Sequence, residues 1–277
     1  VFGLKAPVWH LDAGDQHASG LILGIGAVIG AVYVLRVARQ ERKVYPLYLL
    51  VGGVLTVFIE PFVDVLGHCA WPSLHMTQYV KTFGVSIPLE QAPTYVLYFA
   101  PAIVFLMRRL ERGISMKTWW IYYAVGVGAA LLFELEPVHR GWWRYYGANQ
   151  PFDLWGLPLW WAWVNVSSTL LAGATFWVIV RKRLIEPRFQ IAFVPLVTVV
   201  VTAFHTLAAM PVYTAINSSP HVAVTDLAAL LTVGIAVLSV YVGGRLVTEQ
   251  PDGPLAEPAV GIRVDDVSVA RQTGVPA

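Results

Sequence analysis

The chain has 277 residues, of which 57% are hydrophobic and only 13% charged, and its formal net charge is +2. A soluble domain of this size would carry roughly a quarter charged residues, so the composition and a mean hydropathy of +0.61 exclude a soluble globular protein. Cys69 is the only cysteine, which excludes an internal disulfide framework and a cysteine metal cluster.

In chain order the apolar runs predict about seven spans, approximately 19–37, 44–66, 93–108, 118–136, 157–180, 190–210 and 223–244. Each is near the ~20 residues that a bilayer requires. The expected fold class is an all-α integral membrane protein, with the spans in one bundle. Residues 1–248 form the transmembrane domain. The polar tail 249–277 has Pro and Gly punctuation and no periodicity, and is expected to be disordered.

Basic residues orient the bundle, because cytoplasmic loops carry the excess of Lys and Arg. Arg36, Arg39, Arg42 and Lys43 follow the first span, and Arg108, Arg109, Arg112 and Lys117 the third. Arg181, Lys182, Arg183 and Arg188 follow the fifth, and Arg245 the seventh. The N-terminus is therefore expected outside and the C-terminus in the cytoplasm. On that orientation Glu60, Asp64, Glu134, Glu136 and Asp226 fall near the outer ends of their spans, as do the histidines. Ionisable groups inside a hydrocarbon slab are costly unless paired, solvated or used. A pocket, if the acids form one, opens on the outer half.

Two acidic clusters close long apolar runs. The first is Glu60-Pro61-Phe62-Val63-Asp64, followed by Gly67-His68. The second is Glu134-Leu135-Glu136-Pro137, followed by His139-Arg140. Glu60, Asp64 and His68 are spaced four apart and would share one face of a continuous helix. Pro61 can kink that helix and Gly67 can end it, which makes His68 the least secure member. A neutral carboxylic acid beside a charged one is an arrangement used for acid–base chemistry. The plain alternative is a helix-end carboxylate that faces water or pairs with Arg140 or Arg144. Glu134 and Glu136 are two apart and point to different faces. Glu134 lies deeper and is the better candidate, whereas Glu136 precedes a proline at the headgroup boundary. Asp226 sits one turn into the last span. It reads first as an ordinary N-terminal helix carboxylate and second as a site residue.

Trp142, Trp143, Tyr145 and Tyr146, with Trp155, Trp160, Trp161 and Trp163, gather near the outer boundary. Such residues commonly mark the membrane interface. As an aromatic wall, they could instead stabilise a developing cation. Asn165 lies inside span five and could orient a substrate oxygen. His68, His75, His139, His205 and His221 share the outer side with the carboxylates, but no His-x-x-x-His pair appears. No metal and no cofactor are expected. The chain has no P-loop, GxGxxG or GxSxG motif, and nothing in it suggests nucleic-acid binding.

At these residues the chain resembles a known family. An acidic residue followed by Gly67-His68 closes the second span, and a loop carries Gly84 and Ile87-Pro88. Next come a span ending in Glu134, then Gly141, Trp142 and Tyr145, then an apolar stretch holding Asn165. The pattern, over roughly residues 57–170, is similar to the AveC-like bacterial spirocyclase family. In size and span count the chain is also similar to noncanonical membrane terpene cyclases. The resemblance implies cyclisation or dehydration of a lipophilic polyketide or isoprenoid, in a bacterial cytoplasmic membrane, with acidic residues as proton donors and acceptors. It puts Glu60 or Asp64 at the acid before Gly-His, and Glu134 at the acid before Gly-Trp-Tyr. Where the pattern would have aspartate directly before the proline, this chain has Glu60, so both first-cluster acids remain open for that role.

The expected activity is a cofactor-independent membrane cyclase with Glu60, Asp64, Glu134 and Asp226 as acid–base residues. His68, Trp142, Tyr145, Trp161, Asn165 and His205 would bind a lipophilic small-molecule substrate. A transporter or binding protein with a proton relay is the alternative from another class. It should show polar residues along a path across the membrane, whereas here they crowd one side. A carotenoid cyclase or hydratase would use the same protonation chemistry.

Overall fold

The computed structural model describes residues 5–248, and the predicted tail lies outside the described residues. The helices are α1 (Ala13–Glu41), α2 (Tyr45–Leu55), α3 (Glu60–Gly67), α4 (Pro93–Tyr98), α5 (Ala100–Glu111), α6 (Met116–His139), α7 (Trp160–Arg181), α8 (Phe193–Ser218) and α9 (Val222–Thr248). Six helical segments are long and apolar enough to cross a membrane, with α4 and α5 continuing one another in the second of them. Helices α2 and α3 pass the same test together, as a pair bent by 47°. The chain is thus an all-α membrane bundle of up to seven passes.

Contacts at the two ends agree with alternating passes. Arg108, at the end of α5, donates to Glu41, at the end of α1, at 2.7 Å. At the opposite end Arg140, which caps α6, reaches Asp15 in the first turn of α1 at 3.3 Å. The basic clusters used for orientation therefore share the end that holds Glu41, and the acidic clusters lie toward the other.

The second span is not the single straight helix that 44–66 suggested. Thr56–Phe58 tighten into a 3-10 turn, and α3 restarts with Pro61 in its first turn. Proline is tolerated there because its missing N–H would have no helical partner. The bend falls before Glu60, so Glu60 and Asp64 stay on one short helix with their four-residue spacing intact. His68 then takes a left-handed backbone, with φ of 53°, and ends α3. Pro137, by contrast, does not stop α6 at residue 136, since the helix runs on to His139. Span six also outruns its predicted end at 210 and carries Pro211 within α8.

Short strand pairs organise the loops at the acidic end. Strand β1 (Cys69–Ala70) pairs antiparallel with β4 (Arg144–Tyr145), with Cys69 opposite Tyr145. This joins the loop leaving α3 to the loop leaving α6. Strands β2 (Gln78–Thr82) and β3 (Val85–Pro88) form a hairpin. Its turn places Phe83 at φ 52° and Gly84 at φ 79°, the positive-φ pair that a two-residue turn with matching twist requires. Strands β5 (Asp153–Leu154) and β6 (Leu157–Pro158) form a third pair. These loops have a core of their own, in which Leu11, Trp71, Ile87, Val138, Trp142 and Trp143 pack together. They roof one end of the bundle. Trp9 extends the roof by donating from its indole to the Gly141 carbonyl at 2.9 Å, with the Arg144 guanidinium 4.7 Å from its ring centroid.

Candidate active site

Beneath this roof lies a cavity of about 90 Å³, lined in part by Glu60, Asp64 and Glu134. Helix α3 supplies the first two acids and α6 the third. Around them stand Trp71, Tyr95, Tyr98, Phe133, Trp143, Tyr145, Trp161, Asn165 and His205. Polar groups buried in an apolar bundle are costly unless hydrogen-bonded, and the partners at this site are specific.

Asp64 is fully buried. The Trp71 indole donates to its Oδ2 at 2.7 Å, and the Cys69 side chain also interacts with it. Its Oδ1 is buried and has no hydrogen-bond partner. The Thr94 hydroxyl, on the cavity wall, is likewise buried and unpartnered. Glu60 interacts with the side chain of Tyr95. Glu134 accepts from the Tyr145 hydroxyl at 3.2 Å and from the Asn165 amide at 3.4 Å. The last contact is long for a hydrogen bond, so Tyr145 is the firmer partner.

The β1–β4 pairing explains much of this arrangement. It sets Cys69 and Trp71 beside Trp143 and Tyr145, and the Trp71 and Trp143 ring centroids are 5.2 Å apart. The pairing thus holds the donor for Asp64 and the donor for Glu134 on adjacent backbone. Burial, then the carboxylates of Asp64, Glu60 and Glu134, push the Cys69 thiol well above its usual range. It is a donor here and not a thiolate nucleophile. Burial and Glu134 likewise push the Tyr145 hydroxyl up, which keeps it a donor.

Trp161 forms another wall. Tyr145 and His205 meet it edge-on, with centroids 5.2 and 5.3 Å away. The Nε2 of His205 is 3.0 Å from the Tyr213 hydroxyl. The absence of a side chain at Gly67 lets Trp161 sit this close to α3, because a Cβ there would lie 2.5 Å from its Cζ3.

Not every expected site residue lines this cavity. Asp226 lies beyond the first turn of α9, so it is not the helix-terminal carboxylate expected as its first reading; it accepts from the Phe152 backbone amide at 3.3 Å and ties the loop between α6 and α7 to α9. His68 is turned away by its left-handed backbone. Its Nε2 is 3.2 Å from Asn217 Oδ1, and its ring stacks on Tyr146 at 5.1 Å. Trp142 belongs to the roof, and its indole reaches Asp15 at 3.3 Å. Among the described residues, no group of three His, Cys, Asp or Glu could hold a metal ion. Glu136 and His139 do have the Glu-x-x-His spacing on α6, yet Glu136 pairs with Arg140 at 2.6 Å and His139 packs on Trp155. Trp143 lines the cavity as the aromatic-wall reading allowed, whereas Tyr95, Tyr98 and Trp71 were not foreseen as site residues. The Tyr95 and Tyr98 spacing of three was the one local signal, since it places both near one helix face.

No protein-family model, curated protein or solved structure matches the chain. The likeness to the spirocyclase family therefore rests on its short motifs alone.

Proposed function

We propose that this protein is a membrane-embedded cyclase or dehydratase that works by carboxylic acid–base chemistry on an oxygenated lipophile. The observation that carries the reading is the convergence of Glu60, Asp64 and Glu134 on one aromatic-walled cavity, with one Asp64 oxygen left without a partner. A protonated carboxyl group of this set transfers its proton to a carbonyl, hydroxyl or epoxide oxygen, or to an alkene. With a hydroxyl the leaving group departs as water. An internal nucleophile closes the ring on the electron-poor carbon, and a second carboxylate accepts the proton that is released. The net change is ring closure, with or without loss of one water.

The surroundings suit that chemistry. Donors fixed on Asp64 and Glu134 hold the acids without reorganisation, and fixed dipoles act more strongly where water is excluded. The π faces of Trp143, Tyr145 and Trp161 can steady positive charge. The roof limits quenching by bulk water. Toward the basic end the bundle core is apolar, built from residues such as Val34, Leu49, Ile103, Val104, Phe176 and Phe193. A proton relay across the membrane would need polar steps there, so the enzyme reading is favoured over transport.

The test is turnover by purified protein in nanodiscs, using hydroxyketone polyketides and epoxidised or polyunsaturated isoprenoids as substrates. A ring-closed or dehydrated product from at least one class supports the reading. Products that are unchanged by Gln at both Glu60 and Glu134 would contradict it.

A further inference from the structure

The cavity of about 90 Å³ is small for a lipophile. A single water needs ~10–15 Å³ on this kind of measure, so the cavity fits the reacting end of a molecule and little more. The rest of the substrate must lie elsewhere. Water-side entry is covered by the paired loops β1–β4 and by the Trp9 strap. A second feature touches the cavity from the side. An apolar groove of about 510 Å³ runs between α5, α6 and α7, and Tyr98 and Phe133 line both the groove and the cavity. Small residues, Ala102, Gly126 and Ala129 among them, line it.

We propose that the groove is the lateral entry and resting place for the apolar part of the substrate, whose oxygenated end passes between Tyr98 and Phe133 to the acids. The inference rests on the acid–base reading of the cavity and adds the substrate class. The substrate is an amphiphile with its reacting oxygenated group at one end and an apolar body, delivered from the bilayer. Its length follows from the helix. Tyr122 and Phe133, both on the groove wall, are separated by ~16 Å at ~1.5 Å of rise per residue. That is about half the ~30 Å hydrocarbon thickness, so the body spans roughly one leaflet. Continuity with the polar cavity distinguishes this groove from the apolar groove between α7, α8 and α9, which shares no lining residue with the cavity. At the cavity end the buried Asp64 Oδ1 and the Thr94 hydroxyl lack partners, as sites awaiting an oxygenated head would.

The experiment is photolabelling of the full chain in phosphatidylcholine nanodiscs. The probes are a diazirine-bearing dodecyl alcohol and the matching diazirine hydrocarbon without the hydroxyl, and labelled peptides are mapped by mass spectrometry. The expected result is several-fold more labelling of the α5 and α6 groove segments by the alcohol than by the hydrocarbon, with no such preference on α9. Ala102→Trp and Ala129→Trp lie at exposed positions on two different helices, and each should cut the alcohol labelling several-fold. Equal labelling of the groove and α9 by both probes would mean ordinary annular lipid only and would overturn the proposal. Labelling that ignores both Trp variants, in protein that elutes as folded, would also overturn it. The two readings fail separately. A groove that does not select the alcohol, with turnover still sensitive to Glu60→Gln and Glu134→Gln, refutes the entry route alone. A selective groove with turnover insensitive to those variants refutes the acid chemistry alone.

Discussion

At the residue scale, Asp64 depends on its neighbour most visibly. It is fully buried, with one oxygen held by Trp71 and the other unpartnered. Trp71→Phe keeps the ring and removes the donor, leaving neither Asp64 oxygen with an indole partner. Stranding a buried polar group costs about 1–3 kcal/mol, and more for a charged one. A lowered midpoint in thermal unfolding from detergent should report it, and an unchanged midpoint would show that Trp71 only packs. Cys69 offers a chemical readout. With its thiol pushed up by burial and three acids, it should resist maleimide at neutral pH in the folded protein and react only after denaturation. Ready labelling of the native state would contradict the placement. Asp226→Asn should leave turnover close to wild type, because Asp226 holds a loop by its carboxylate, 3.3 Å from the Phe152 amide, and does not line the cavity.

At the scale of elements, the bend between α2 and α3 and the β1–β4 clasp together make the site. The bend carries Glu60 and Asp64 on a helix of their own, and the clasp brings their donors to those of Glu134. Gly67 is where α3 meets Trp161. A Cβ there would lie 2.5 Å from Trp161 Cζ3 and 3.2 Å from Tyr213 Cε1. Trp161 has little room to yield, being packed against Tyr145, Trp160, His205 and Tyr213. Overpacking of this kind typically costs ~1–3 kcal/mol. Gly67→Ala should therefore lower stability by about that amount and shift the indole fluorescence, and normal stability with unshifted fluorescence would show α3 free to move. The four-residue spacing of Glu60 and Asp64 was legible in the sequence, because helical period alone puts them on one face. The break at Gly67 that made His68 the least secure member was legible too, but the left-handed backbone that turns its ring toward Asn217 and Tyr146 is invisible to periodicity. The clasp was illegible for a different reason. Strands of two residues leave no alternation, and pairing of residues 69–70 with 144–145 is a long-range choice made by the packing of Trp71 on Trp143. Tyr95 and Tyr98 become site residues only when α4 packs on α1 and α2 and brings Tyr95 to Glu60.

At the scale of the whole molecule, hydropathy made the all-α membrane bundle of up to seven passes legible, since a bilayer demands long apolar helices. Reporter fusions after Arg42, Arg112 and Arg188 should all report cytoplasm, and an exterior signal at any two would overturn the orientation. The bundle has a basic end over an apolar core and an acidic, aromatic, roofed end. The central claim is that the acids at the roofed end transfer protons. Its most direct test is the turnover of Glu134→Gln and Glu60→Gln beside wild type in nanodiscs. Gln keeps volume and polarity but has no proton to give, and a general acid or base typically contributes ~10²–10⁴-fold. Each variant should insert, fold and lose turnover by about that factor, while rates near wild type in both variants would contradict the account.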